Sequence, residues 1–455
     1  MDKRGSLKSP LVQYIIGLIV NIVFVVILLN IEVSYRNLQL PEGEYRDNIQ
    51  KGTDTMTYVQ PARNYLEYSI FGRGNAPDYH RTIGYPFYLA VLMKLFGNNW
   101  LIATFFVQAF FYASIYPALS KIANILFPDK PSLTTPIFCF YLVSGAYLVQ
   151  VPVLLTDTFY TVLFTIGLYF GFLSIIRQSW KYLILQLVFI GYAAQVRPNL
   201  IYYPFINIFV LWLIANRYNV LSRMKIKGII ITSSAALLLL CNIPSIRNYA
   251  HYRFFKPSNL LEHCLFGSLT SEVMKRQNET GTFEEMAQKV KEANDIREKM
   301  SLQKKFAIEV CTKYPGATIK IMVRNARSNL LRNSWIEVGP YLEYYWRDIT
   351  PLTNPLIHLK KSEFLFVATI VWSMVYAIVY IFFGLFLLRL VRKKDWLFFF
   401  TILAFISYLV LPTFVAAGGY RYRLPVEGII GMCAFYEISQ MKYLNVIKTG
   451  LKVVR

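Results

Sequence analysis

The sequence predicts an all-α polytopic membrane protein with about ten spanning helices. Of 455 residues, 55% are hydrophobic and only 16% charged, and the mean hydropathy is +0.39. The apolar residues come in runs of about 20, the length that crosses a hydrocarbon core of about 30 Å. Basic residues gather between alternate runs. Lipid offers no hydrogen bonds to backbone groups, so such runs must be helices.

The first run, 11–31, is too long for a secretory signal and has no small-residue cleavage site, so it reads as a span. Further runs lie at 100–127, 132–153, 157–176, 181–196, 199–216, 228–246, 363–391, 396–416 and 424–441. They divide the chain into a transmembrane module, 1–246, a long polar loop, 247–362, and a closing set of spans, 363–455. The net charge of +22 would suggest nucleic acid in a soluble protein. Here it reads as Lys and Arg flanking helices near anionic lipid, so no nucleic-acid partner is expected. The five cysteines show no zinc or redox spacing. Cys264 and Cys311 share the long loop, where a disulfide is conceivable in an oxidising compartment.

Orientation follows from the basic residues. Lys3, Arg4 and Lys8, the stretch Arg217 to Lys227, the run Arg389 to Lys394 and Lys442 to Arg455 fall on one side when ten runs span. Short loops rich in Lys and Arg stay cytoplasmic, which puts both termini inside. Counting the short apolar segment 82–97 as a span would reverse every later loop, so it reads as an interfacial helix. The opposite face then holds a long first loop, 32–99, the turns at Thr156-Asp157 and Arg197-Pro198, loop 247–362, and the turn Gly418 to Arg423. Within the large loop, Glu284 to Tyr314 has helical spacing, and 315–335 reads as another interfacial helix.

Charge at membrane helix ends is costly unless solvated or paired, so the residues gathered on that face invite a functional reading. Asp54 precedes an amphipathic stretch, Pro61 to Phe71. Asp157 stands at the mouth of a span, where by itself it reads as a helix N-cap. Arg197 and Arg247 each end a different helix, and Arg421 and Arg423 share the turn before the last run. Guanidinium groups bind phosphate through paired hydrogen bonds and keep their charge when half-buried. The plain alternative is that they anchor helices among headgroups. Together the groups describe a base, a hydroxyl acceptor and a phosphate leaving group at one membrane face.

The motifs, taken in order, resemble those of the GT-C membrane glycosyltransferases, the family-39 type related to protein O-mannosyltransferases and the lipid A aminoarabinose transferase. The first loop has Asp54, Tyr58 and the helix Pro61 to Leu66, then Arg81-Thr-Ile-Gly84-Tyr85-Pro86 and Leu95-Phe96-Gly97. Ile83 stands where the family commonly has proline. Leu155-Thr156-Asp157, Gln195-Val196-Arg197-Pro198-Asn199, Ser245-Ile246-Arg247-Asn248-Tyr249 and Arg421-Tyr422-Arg423-Leu424-Pro425 follow in the expected sequence.

The resemblance implies a GT-C-like fold and an inverting glycosyltransferase that takes sugar from a polyprenyl-phosphate donor on the non-cytoplasmic face. The acceptor is a glycan, lipid or protein. Asp54 is implied as the base, with Asp157 positioning the acceptor or assisting a metal. Arg197 and Arg423 are implied to hold the donor phosphate, ahead of Arg247 and Arg421. Tyr58, Arg81 and Tyr85 are implied as first-loop substrate contacts. Metal use varies among relatives, so a divalent cofactor stays open. His80, His251, His263 and His358 show no ligand spacing. The expected location is a bacterial inner (plasma) membrane. The alternatives are a polymer ligase acting on lipid-diphosphate glycans and a lipid-linked sugar transporter. Transporters carry repeats and midplane charges, neither of which this sequence shows.

Overall fold

The computed structural model describes residues 7, 9–36, 55–73, 76–144, 147–331, 363–410, 414–415 and 423–441. Within them the regular secondary structure is helical apart from one short hairpin, Gly72–Arg73 paired antiparallel with Ala76–Pro77. Five stretches are long and apolar enough to cross a membrane: Pro10–Ile27, Gly84–Leu126, Thr156–Ile176, Met224–Tyr252 and Ile370–Arg392. Shorter apolar helices fill in between them. The fold is the all-α polytopic class expected.

The helices are α1 Pro10–Arg36, α2 Met56–Tyr68, α3 Gly84–Phe96, α4 Trp100–Tyr112, α5 Ile115–Leu126, α6 Thr134–Val143, α7 Thr156–Ile176, α8 Trp180–Val196 and α9 Tyr203–Arg217. They continue as α10 Met224–Tyr252, α11 Leu260–Cys264, α12 Ser271–Arg276, α13 Thr280–Glu292, α14 Ile296–Lys313, α15 Pro315–Leu331, α16 Glu363–Arg392, α17 Trp396–Val410 and α18 Leu424–Ser439.

Three stretches depart from the expected runs. The run 100–127 breaks at Ala113-Ser114 into α4 and α5, where the Ser114 hydroxyl donates to the Phe111 carbonyl at 2.5 Å. The run 132–153 is α-helical only to Val143, with a single 3-10 turn at Leu148–Gln150. Pro152 has no N–H and disfavours helix in the residue before it. The irregular backbone that follows is satisfied from outside: Gln108 Nε2 donates to the carbonyls of Val151 at 2.6 Å and Val153 at 3.3 Å. Buried backbone of this kind needs such partners, since no water reaches it. In the long loop, α13 and α14 are separate because Asp295 caps α14, its Oδ1 accepting from the N–H groups of Arg297 and Glu298. Cys264 and Cys311 are not joined by a disulfide and pack beside one small apolar cluster.

Contacts sort the helix ends into two levels. At one, Phe127 stacks on Tyr436 at 4.2 Å and Arg389 grips Glu437 with two bonds of 2.6 and 2.7 Å. Arg217 lies over Phe398 at the same level. At the other, the first loop meets the start of α7 and the ends of α8 and α10, and Tyr408 of α17 bonds the Asn199 carbonyl just before α9. Between the levels, α8, α9 and α10 are pinned by a closed polar ring. Gln186 donates to Asn207 at 2.9 Å, Asn207 to Ser233 at 2.9 Å and Ser234 at 3.1 Å, and Ser233 back to Gln186 at 3.0 Å. Every side chain in the ring thus has a partner, which lipid could not supply.

Candidate active site

The first loop is docked against the helix ends by close backbone approach. Gly84 opens α3 where the C-terminal turn of α8 passes. A Cβ on Gly84 would lie 2.6 Å from the carbonyl of Gln195. Thr82 donates to the carbonyl of Val196 at 2.9 Å, and Tyr192 to that of Gly84 at 3.0 Å. Tyr85 is fully buried and donates to Gln108 at 2.9 Å, so it is tied to the same glutamine that holds the irregular segment before α7.

On this platform α2 brings Tyr58 within 3.3 Å of the Thr156 hydroxyl. The Arg81 guanidinium lies 4.9 Å from the centre of the Tyr58 ring, and its Nε donates to Thr57 at 3.1 Å. Tyr58 and Tyr85 meet edge to face at 5.5 Å. One residue beyond Thr156, Asp157 is 2% exposed and lies 2.7 Å from Arg197 Nη1. Asp157 is therefore not a helix cap: Leu155 occupies that position, in extended backbone and with no side-chain cap. The carboxylate turns instead toward the tip of α8.

A second charged node sits at the start of α18. Arg423 is 1% exposed, with Nε 3.2 Å from Glu427 and a bond from Nη1 to the Leu330 carbonyl. Its guanidinium carbon lies 4.2 Å from the centre of the Tyr376 ring, and Tyr376 bonds Glu427 in turn. Its Nη2 is buried with no partner among the described residues. Tyr147, one end of the irregular segment, reaches the Leu424 carbonyl at 3.5 Å. That segment runs from the Arg423 node to Asp157.

Arg247 is committed differently. Its Nη2 donates to the Asp78 carbonyl at 2.8 Å and to Asn248 at 2.8 Å, which ties α10 to the first loop. His80 and His263, far apart in sequence, meet with ring centres 5.2 Å apart. His80 Nδ1 lies 2.8 Å from Asn259 Oδ1. Burial, then the Arg81 charge, lowers the pKa of both histidines. Among the described residues no three His, Cys, Asp or Glu side chains gather as metal ligands. Asp54 and Arg421 lie outside the described residues.

The structure thus assembles Tyr58, Arg81, Tyr85, Asp157 and Arg197 at one place, with Arg247 supporting the loop and Arg423 in a separate node. Sequence reasoning missed Gln108, Glu427 and the His80–His263 pair. Glu427 was findable, being a carboxylate one helical turn after Arg423 inside an apolar run. Gln108 and the histidine pair had no local signal.

Residues 80–246 match the family model described as dolichyl-phosphate-mannose-protein mannosyltransferase. The match supports the resemblance to the GT-C membrane glycosyltransferases over that part of the chain. No curated protein and no solved structure matches it. The matched segment contains Arg81, Gly84, Asp157, Arg197 and all members of the ring around Asn207. It stops before Arg247 and the long loop.

Proposed function

We propose that the enzyme moves a sugar from a polyprenyl-phosphate donor to a hydroxyl acceptor on the non-cytoplasmic face, with inversion. The observation that carries this reading is the buried Asp157–Arg197 pair, 2.7 Å apart, beneath the docked first loop. Asp54 immediately precedes Thr55, from whose carbonyl α2 starts. It is the proposed base. As the acceptor oxygen attacks the anomeric carbon, the C1–O bond to phosphate breaks, the leaving phosphate keeps the electron pair, and the carboxylate takes the hydroxyl proton.

Arg197 would meet the negative charge developing on that phosphate, with Arg423 and Arg421 as further phosphate ligands. Asp157 would fix the Arg197 guanidinium and orient the acceptor. Tyr58, Arg81 and Tyr85 would line the sugar side of the site. No step is routed through a metal, since the described residues supply no ligand cluster. Both termini would be cytoplasmic, with the basic level around Arg217 and Arg389 facing inward.

The test is to supply purified enzyme with a panel of radiolabelled polyprenyl monophosphate and diphosphate sugars. Transfer or hydrolysis of a monophosphate sugar, lost in Asp54→Asn by about 10²-fold or more, is the expected result. Use of diphosphate-linked glycan alone would favour a polymer ligase. Full turnover by Asp54→Asn would remove that residue as the base.

A further inference from the structure

We propose that a groove beside the first loop, lined by Tyr79, Tyr252, Arg253, Asp295, Arg297 and Lys299, is an acceptor subsite for an acidic glycan. The proposal rests on the glycosyltransferase reading and names the class of its acceptor. The groove has a volume of about 520 Å³, within the usual range for small-molecule sites. Three elements form it: the first loop at Tyr79, the last turn of α10 and the N-terminus of α14.

Its charge is one-sided. Arg253, Arg297 and Lys299 face a single carboxylate, Asp295. That carboxylate is occupied as the α14 cap, at 2.7 and 2.8 Å from two backbone N–H groups, and Arg297 touches its other oxygen at 3.4 Å. Arg253 ends α10 with φ of 56°, a left-handed conformation that glycine adopts at lower cost. An arginine there keeps a cation at the groove mouth.

The remaining lining suits a sugar better than a lipid tail. Tyr79 and Tyr252 meet edge to face at 5.3 Å, offering ring faces against which a pyranose C–H face can pack. Aliphatic lining is limited to Ala293 and Ile296, too little for an acyl chain. The groove is also tied to the site. Tyr252 donates to the Pro77 carbonyl, and Arg247, on the same helix, donates to that of Asp78. A glycan held here extends toward Arg81 and Tyr58 along a single loop.

The experiment is equilibrium binding to the full chain in phosphatidylcholine nanodiscs without donor. The probes are an α-1,4-galacturonate hexamer, maltohexaose and dihexanoyl phosphatidylglycerol. The galacturonate hexamer should bind about tenfold more tightly than maltohexaose at low salt, with the preference collapsing near 0.5 M salt. Arg253→Gln with Lys299→Gln should weaken galacturonate binding about tenfold while leaving the melting midpoint unchanged. Lys299→Glu alone should weaken it as well, which guards against misfolding of the double variant. Equal binding of the neutral hexamer, unchanged affinity in the variants, or displacement by the phosphatidylglycerol would overturn the proposal. Donor hydrolysis by the wild type without acceptor is measured separately. Hydrolysis without galacturonate binding retires the groove alone, whereas absence of both transfer and hydrolysis with every donor retires the transferase reading.

Discussion

Arg197 reaches across from the tip of α8 to lie 2.7 Å from Asp157 in the first turn of α7. The two partners are unequal, since the Asp157 side chain is 2% exposed and that of Arg197 is 17% exposed. Removing the arginine strands a buried carboxylate, whereas removing the aspartate leaves a cation that can reach water. Arg197→Ala should therefore lower the melting midpoint more than Asp157→Ala, with a cost of about 3–5 kcal/mol for the former. Thermal unfolding in detergent measures the difference. Equal shifts would mean that the pair is not buried as described.

Gly84→Ala should uncouple the first loop. The added methyl would meet the Gln195 backbone at 2.6 Å, a contact that neither chain can relieve by a side-chain rotation. A cost of about 1–3 kcal/mol is expected. It should appear as faster proteolysis within 56–96 and as loss of transfer. An unchanged digestion pattern would contradict the close packing.

The Arg423 node should tolerate no simple replacement. Lys at this position cannot bond Glu427 and the Leu330 carbonyl while stacking on Tyr376. Arg423→Lys should resemble Arg423→Ala in stability, within about 1 kcal/mol. Recovery of wild-type stability by the lysine would show that charge alone is needed there.

Asn207 serves packing rather than chemistry. Asn207→Leu leaves Gln186 and both serines without their partner and should cost about 1–2 kcal/mol. Donor affinity should not change in the fraction that folds. A selective loss of donor binding would place the ring in the site.

Acid should loosen the contact between the first and long loops. Burial, Arg81 and His263 lower the His80 pKa, against the opposing influences of the Asn259 hydrogen bond and Asp78, and Lys299 adds to the effect on His263. A histidine with a depressed folded-state pKa contributes stability that is full above its unfolded pKa of about 6.5 and is lost as pH falls through the folded value. Hydrogen exchange across 76–96 and 256–266 should be protected at neutral pH and accelerate below about pH 6. In His80→Gln that pH dependence should shrink.

Hydropathy and charge order made much of the fold legible. The runs that became α1, α7, α8, α9 and α10 begin and end within a few residues of expectation, because each has only one way to satisfy its backbone in lipid. The apolar segment 82–97 forms α3 at Gly84–Phe96, which packs beside the tip of α8. The helical break after Val143 was not legible. Whether an irregular segment can exist at that depth depends on Gln108, a residue on another helix.

What the sequence by itself determined is the all-α class, the order of the apolar stretches, the level at which the basic loops gather, and the positions of Asp157, Arg197 and Arg423 at helix ends. These are properties of local composition, and lipid enforces them wherever they occur. Only the tertiary structure decided that Asp157 pairs with Arg197 rather than capping its own helix, that Arg423 turns inward to Glu427, and that His80 meets His263. The reason is physical: a buried charge must find its counter-charge, and which one lies within reach is set by how helices distant in sequence are packed.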